Sequence, residues 1–217
     1  MSKNILLFPG GFKPVHDGHL SILESHISNI DNVHIDEVRI YISPKDRDCI
    51  TADTSLWFFN NIKDTLSNLY NVNIITEISN IPSPVGKCYN DVSTSLTLDK
   101  FCMVSSNKDS DIIRKEDFIK TYHVGGRKYD SSKGEQTIYI NADIEPVYYN
   151  GRIDSYNGLY VSSTIVRQDL RNRDFKMFTT AYKHMLDSNI LPINILEEYY
   201  NRLIKLIQFI IIFVKDK

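Results

Sequence analysis

Apolar residues fall into two rhythms along this chain. Short apolar runs at Ile5–Phe8, Val38–Ile42, Val72–Ile75 and Lys100–Ser105 read as strands, the first two rich in β-branched or aromatic residues. Helix-like segments lie between them. His19–Ile30 separates the first two runs, and Thr51–Leu69 repeats Leu56, Phe59, Ile62 and Leu66 at helical spacing, with Thr51 or Asp53 as its cap. Trp57 stands at core spacing in that segment and reads as packing. Ile78–Lys87 holds Pro82, Pro84 and Gly86 and reads as loop. Ser110–Thr121 is a charged helix, the turn-rich VGGRKYDSSKGEQ follows, and Gln136–Ile140 is a further strand beside which Val147–Tyr149 or Leu159–Val161 could pair. Ser163–Arg171, Phe175–Ser188 and the chain from Ile193 read as helices. Strands alternating with helices, without repeat or linker, predict an α/β domain with a mostly parallel sheet over residues 1–190 and a C-terminal helical extension over 191–217.

Composition narrows the class. At 217 residues, 42% hydrophobic, 24% charged and net charge -2, the chain has the make-up of a globular domain, with two smaller domains the less favoured division. It lacks the basic excess that a nucleic-acid partner demands. Cys49, Cys88 and Cys102 are widely spaced without a C-x-x-C pair, so neither a disulfide framework nor a zinc site is expected, and a cytoplasmic setting is. The apolar start is too short for a signal-peptide core. Leu203–Val214 is intensely apolar but shorter than the ~20 residues a membrane span needs. It reads as a buried terminal helix or strand or as a homo-oligomer or assembly contact, ahead of a peripheral membrane contact.

Chemistry concentrates in FPGGFKPVHDGHL, Phe8–Leu20, directly after the first strand. In such sheets ligands bind at the carboxyl ends of the strands, where strand order reverses. Gly10 and Gly11 let an anion approach the backbone, and the amides opening the next helix offer donors and a positive dipole end. His16 and His19 are three apart, so a helix starting near His16 projects both rings to one side. With Lys13 they make a site for holding a phosphate and stabilising charge that grows on it. No serine or cysteine nucleophile is present in the stretch, which favours direct in-line displacement. A metal pair is the weaker reading of H-x-x-H, for want of a third ligand, and no G-x-G-x-x-G fingerprint is present.

The segment GGFKPVHDGHL resembles the G-x-F-x-P-x-H-x-G-H signature of the HxGH nucleotidylyltransferases, matching at Gly10 or Gly11, Phe12, Pro14, His16, Gly18 and His19. Near the last third, YVSSTIVRQDL, Tyr160–Leu170, resembles the I-S-S/T-x-x-R motif of the same family. There Ser162 or Ser163 can cap a helix whose first amides, with those of Thr164, face an anion, and Arg167 lies one turn on. Weaker echoes are Ser43, Lys45 and Arg47 in ISPKDRD, where the family often faces its acceptor or phosphates, and Ser105, Lys108 and Asp109 in VSSNKDSD, where it often contacts nucleotide. Each is equally an ordinary polar loop.

The resemblance implies a Rossmann-like fold with helices on both faces, and a transfer of a nucleoside monophosphate from a triphosphate to a small phosphorylated acceptor. It makes His16 and His19 the stabilisers of the reacting phosphate, Lys13 a partner of the triphosphate or incoming group and Arg167 of the leaving pyrophosphate. Gly10, Gly11, Phe12, Gly18, Ser105, Asp109 and Ser162–Thr164 then belong to the nucleotide, and Lys45 and Arg47 to the acceptor. Mg²⁺ is expected with the triphosphate rather than in a protein cage. The form V-S-S-T-I-V-R is closer to nicotinamide-mononucleotide adenylyltransferases than to cytidylyltransferases, whose usual R-T-x-G-I-S-T is replaced by SYNGLYVSST, so ATP is expected over CTP. The competing readings are a cytidylyltransferase acting on a phospho-alcohol, a silent nucleotide-binding module in an assembly, and a tRNA-synthetase-like activating enzyme, the last disfavoured by size.

Overall fold

The structure is a computed structural model that describes residues 2–144, 147 and 161–215. Four strands, β1 (Asn4–Gly10), β2 (Glu37–Ile42), β3 (Asn73–Ile78) and β4 (Lys100–Met103), pair in parallel in the order β3-β2-β1-β4. The chain steps outward from β1 to β3 and then crosses back to lay β4 on the other side of β1. Strand order therefore reverses between β1 and β4, and this opens a crevice at their carboxyl ends.

Period-two alternation along the strands divides the core. Leu6 and Phe8 of β1, with Val38, Ile40 and Ile42 of β2, face α1 (Asp17–Ile27), α2 (Ala52–Tyr70) and the C-terminal helices α5 (Ser163–Asn172), α6 (Phe175–Thr180), α7 (Lys183–Asp187) and α8 (Ile193–Lys215). Ile5, Leu7, Tyr41, Phe101 and Met103 face α3 (Pro84–Thr94) and α4 (Asp109–Tyr122) through Cys88, Val92, Phe118 and Tyr122. Helices thus cover both faces, and the fold is the Rossmann-like α/β sandwich that the sequence predicts.

Local chemistry corrects several boundaries. The proline-rich Ile78–Lys87 is not wholly loop: Ser83 accepts from the Gly86 amide and Pro84 sits in the first turn of α3, where its missing N–H costs nothing. Gln136–Ile140 does not become a full strand. It makes one parallel bridge to β4, with Phe101 donating to Gln136 and accepting from Ile138. The predicted Phe175–Ser188 helix is broken into α6 and α7 around Ala181–Tyr182. Val161 donates to the carbonyl of Val147 at 2.9 Å; the remainder of the two predicted pairing segments, 148–149 and 159–160, lies outside the described residues.

Helix α8 belongs to the larger core through buried Leu196, Tyr199 and Leu203. It also reaches the loop before α1, since the Tyr199 hydroxyl accepts from the Val15 amide at 3.1 Å while Tyr182 donates to the Val15 carbonyl at 2.6 Å. The end of the chain in sequence is therefore a support for its beginning. The side chains of 208–215, most of the apolar tail, lie outside the described residues, among which no helix is long and apolar enough to cross a membrane.

Candidate active site

A cavity of about 620 Å³ opens at the β1/β4 crevice, walled by the loop after β1, the first turn of α1, the ends of β4 and α4, and the start of α5. Phe12 organises its floor. Its backbone is left-handed (φ 53), its carbonyl accepts from the Ser55 hydroxyl at 2.6 Å, and its ring packs edge-on to Phe8, Phe59 and His19 at 5.0–5.1 Å. Gly10 is required by that packing, because a Cβ there would stand 2.5 Å from the Phe12 ring. A Cβ on Gly11 would meet nothing within 4 Å, so the protein's own packing does not require a glycine there.

The histidines form an unusual helix cap. His16 is the N-cap of α1 and accepts from the Gly18 amide through Nδ1 at 3.2 Å, while His19 Nδ1 accepts from the His16 amide at 3.3 Å. The imidazoles lie face to face with centroids 3.8 Å apart and a 31° tilt. Since each Nδ1 is an acceptor, the neutral rings carry their proton on Nε2, and neither Nε2 has a hydrogen-bond partner among the described residues. Burial, then His19 and nearby Lys108 and Arg167, hold His16 well below its ordinary pKa, and burial and Lys108 push His19 down to about 3. At neutral pH the pair is thus two uncharged N–H donors on the cavity wall.

Gly10, Gly11, Phe12, Gly18, Arg47, Ser105 and Ser162–Thr164 line the same cavity as the histidines. Ser162 caps α5 by accepting from the Ile165 amide, and Ser163 ties the cap to the first loop by donating to the Pro14 carbonyl at 3.0 Å. Lys45 and Asp109 do not reach the cavity wall.

Lys13 and Arg167, expected against phosphates, are not among the residues lining that wall. Lys13 is 3% exposed and its ammonium donates to the Ser43 carbonyl at 2.7 Å and to the Lys45 carbonyl. Arg167, 5% exposed, donates to the Lys13 carbonyl at 2.7 Å and to Thr164 Oγ1 at 3.1 Å, and pairs with Asp48 at 2.5 Å. Burial, the leading cause for each, lowers both pKa values. For Arg167 the hold is electrostatic: the turn at Asp48 and Cys49, both left-handed (φ 49 and 60), places a carboxylate on the guanidinium.

The cations that do face the cavity are Arg47, Lys108 and Arg114, with one carboxylate, Asp111, which accepts from Ser106 at 2.5 Å and pairs with Arg114 at 2.9 Å. Asp111 and Arg114 carried no motif in the sequence. Their spacing of three after Lys108, on a helix beginning at a strand end, was the only available signal.

The fold is a Rossmann-like α/β sandwich with a histidine-lined cavity at the carboxyl ends of its strands. No protein-family model and no curated protein matches the chain. Among solved structures it is similar to the Plasmodium falciparum nicotinic acid mononucleotide adenylyltransferase complexed with APC, at 18% identity and a TM-score of 0.49, over 86% of this chain and 96% of that one.

Proposed function

We propose that the protein is a nucleotidylyltransferase, passing AMP from ATP to a small phosphate-bearing acceptor such as nicotinamide mononucleotide and releasing pyrophosphate. The observation that carries this reading is the stacked His16/His19 pair, with both Nδ1 atoms engaged by backbone and both Nε2–H donors committed to nothing else at the β1/β4 crevice. A neutral donor pair fits a reacting phosphate: hydrogen bonds to its non-bridging oxygens strengthen as charge accumulates, with no proton to be lost or gained.

An oxygen of the acceptor phosphate attacks the α-phosphorus and forms the new P–O bond. The bond from that phosphorus to the bridging oxygen breaks, and its electron pair departs with pyrophosphate. His16 and His19 hold the α-phosphate, the Ser162–Thr164 turn at the head of α5 receives the triphosphate, and Arg47 faces the acceptor. Lys13 and Arg167 contribute by fixing the first loop to the 43–48 loop and to α5, so that these groups converge. Mg²⁺, when bound, supplies charge neutralisation to the phosphates. It would come with the triphosphate, and Asp111, the carboxylate among the residues lining the cavity, is engaged by Arg114 and Ser106.

The preference for ATP rests on the V-S-S-T-I-V-R form at Val161–Arg167. The test is pyrophosphate release with Mg²⁺, ATP and CTP offered separately against nicotinamide mononucleotide, phosphopantetheine, glycerol 3-phosphate and phosphocholine. Turnover with ATP and one acceptor is the expected result. Turnover with CTP alone reassigns the base, and ATP binding without turnover on any acceptor returns the protein to a nucleotide-binding module.

A further inference from the structure

Beside the active cavity lies a second one of about 350 Å³, between the end of α1, the outer face of α4 and residues 139–144, sharing only Ser105 and Ser106 with the first. Its wall holds the ammonium of Lys115, a residue 5% exposed. That ammonium donates to the Ile140 carbonyl at 2.7 Å and stands 4.6 Å from the centroid of the Tyr139 ring, and among the described residues no carboxylate lies within ion-pair distance of it. A buried cation with no carboxylate in contact is costly even with Asp31 attracting it at longer range, and among the described residues one carbonyl engages the three N–H donors of Lys115. Burial lowers its pKa against the opposing pull of Cys102 and Asp31.

The rest of the cavity describes what would offset the charge. Ile30, Ile112 and Tyr139 line it and are 64%, 38% and 52% exposed, an apolar rim that no other part of the described chain covers. Glu116 and Asp143 also line it. Glu116 is paired with Lys120 at 3.2 Å, and the two acids together disfavour a doubly charged ligand at the mouth while one ammonium favours a single negative charge within.

We propose that this second cavity is a binding site for a small monocarboxylate with a flat or aliphatic apolar body, its carboxylate on Lys115 and its body against Tyr139, Ile112 and Ile30. The site has a physical route to the first cavity. His26, fully buried, donates from Nδ1 to the Ile22 carbonyl and accepts from the Ser105 amide at 3.5 Å, so the segment shared by both cavities is tied to the α1 wall of the second.

Benzoate and its neutral isostere benzamide are the probes, titrated by calorimetry into the full chain. Benzoate is expected to bind, benzamide about tenfold more weakly or not at all, and inorganic phosphate not at this site. Lys115→Met is expected to abolish benzoate binding and to raise the melting temperature, because an isosteric apolar side chain removes a buried charge with no carboxylate in contact. Tyr139→Ala, at a half-exposed position, is expected to weaken benzoate with the fold intact. Equal binding of benzoate and benzamide, no benzoate binding at millimolar concentration, or unchanged benzoate affinity in Lys115→Met overturns the proposal. A lowered melting temperature in Lys115→Met also overturns it, since it makes the lysine a structural strut.

Discussion

Two sets of cations surround the cavity at the β1/β4 crevice and they have opposite characters. Lys13 and Arg167 stand inside sequence motifs, are nearly inaccessible and spend their donors on carbonyls, a hydroxyl and Asp48. Arg47, Lys108 and Arg114 line the open space, and of these only Arg114 has a carboxylate partner among the described residues. The difference teaches that a motif residue can shape a site from behind its wall. The charge a ligand meets first can come from residues with no motif of their own.

The comparison breaks most visibly on stability. Arg167→Met leaves the Lys13 carbonyl without its donor and Asp48 with only the exposed Arg171 at 3.5 Å, and a loss of about 2 kcal/mol is expected in denaturant unfolding, less than for a fully buried pair because Asp48 is 41% exposed and keeps that second partner. Lys108→Ala is expected to stay within about 0.5 kcal/mol of the parent, since Lys108 is exposed and makes no side-chain cap to α4. Equal losses in the two variants would erase the distinction between the sets.

On turnover the ranking inverts toward the histidines. His19→Ala is expected to keep triphosphate binding by calorimetry close to the parent and to lower turnover by about a hundredfold or more, the cost of a donor used in the transition state. Near-normal rates would remove the histidine pair from the catalytic centre.

A third consequence concerns pH. Asp17, at the head of α1, accepts from the His184 and Met185 amides at 2.7 and 3.2 Å, and burial raises its pKa to about 6 despite those bonds. A folded-state pKa above the unfolded value of 3.8 means that the folded protein binds the extra proton between about pH 4 and 6, so stability from this group falls as pH rises through that window. About two pKa units correspond to about 2–3 kcal/mol. The depressed pKa values of His16 and His19 act in the other direction, costing stability as pH falls below the ordinary histidine range. The difference between the parent and Asp17→Asn therefore isolates the carboxylate, and an identical pH slope in both would refute its role.

How far this was legible in the chain follows from what each feature depends on. The β1 to α1 passage was readable because its signals are local: an apolar run, glycines, then paired histidines at a helix start. The Ser162 cap was readable for the same reason. The helix at Pro84 was missed because proline was weighed as a breaker when, after a capping serine, it opens a helix. The burial of Arg167 was not legible at all. It depends on Asp48, 119 positions away by number, being turned inward by a left-handed pair of residues whose identities, Asp and Cys, do not announce that backbone. Nor could the sequence reveal that Tyr199 of α8 steadies Val15.

The smallest expected effect separates the two glycines of the first loop. Gly10→Ala drives a methyl into a Phe12 ring already held by Phe8, Phe59 and His19, and a loss of about 1–3 kcal/mol is expected because the ring has no free direction in which to yield. Gly11→Ala meets nothing within 4 Å, so its stability should lie within about 0.5 kcal/mol of the parent. The added methyl nevertheless stands on the cavity wall, where the phosphate of the proposed nucleotide would approach the backbone. Weaker nucleotide binding by calorimetry at unchanged stability is thus the outcome that marks Gly11 as a ligand-facing glycine. Unchanged binding would make both glycines matters of packing and would shift the nucleotide toward the α5 side of the cavity.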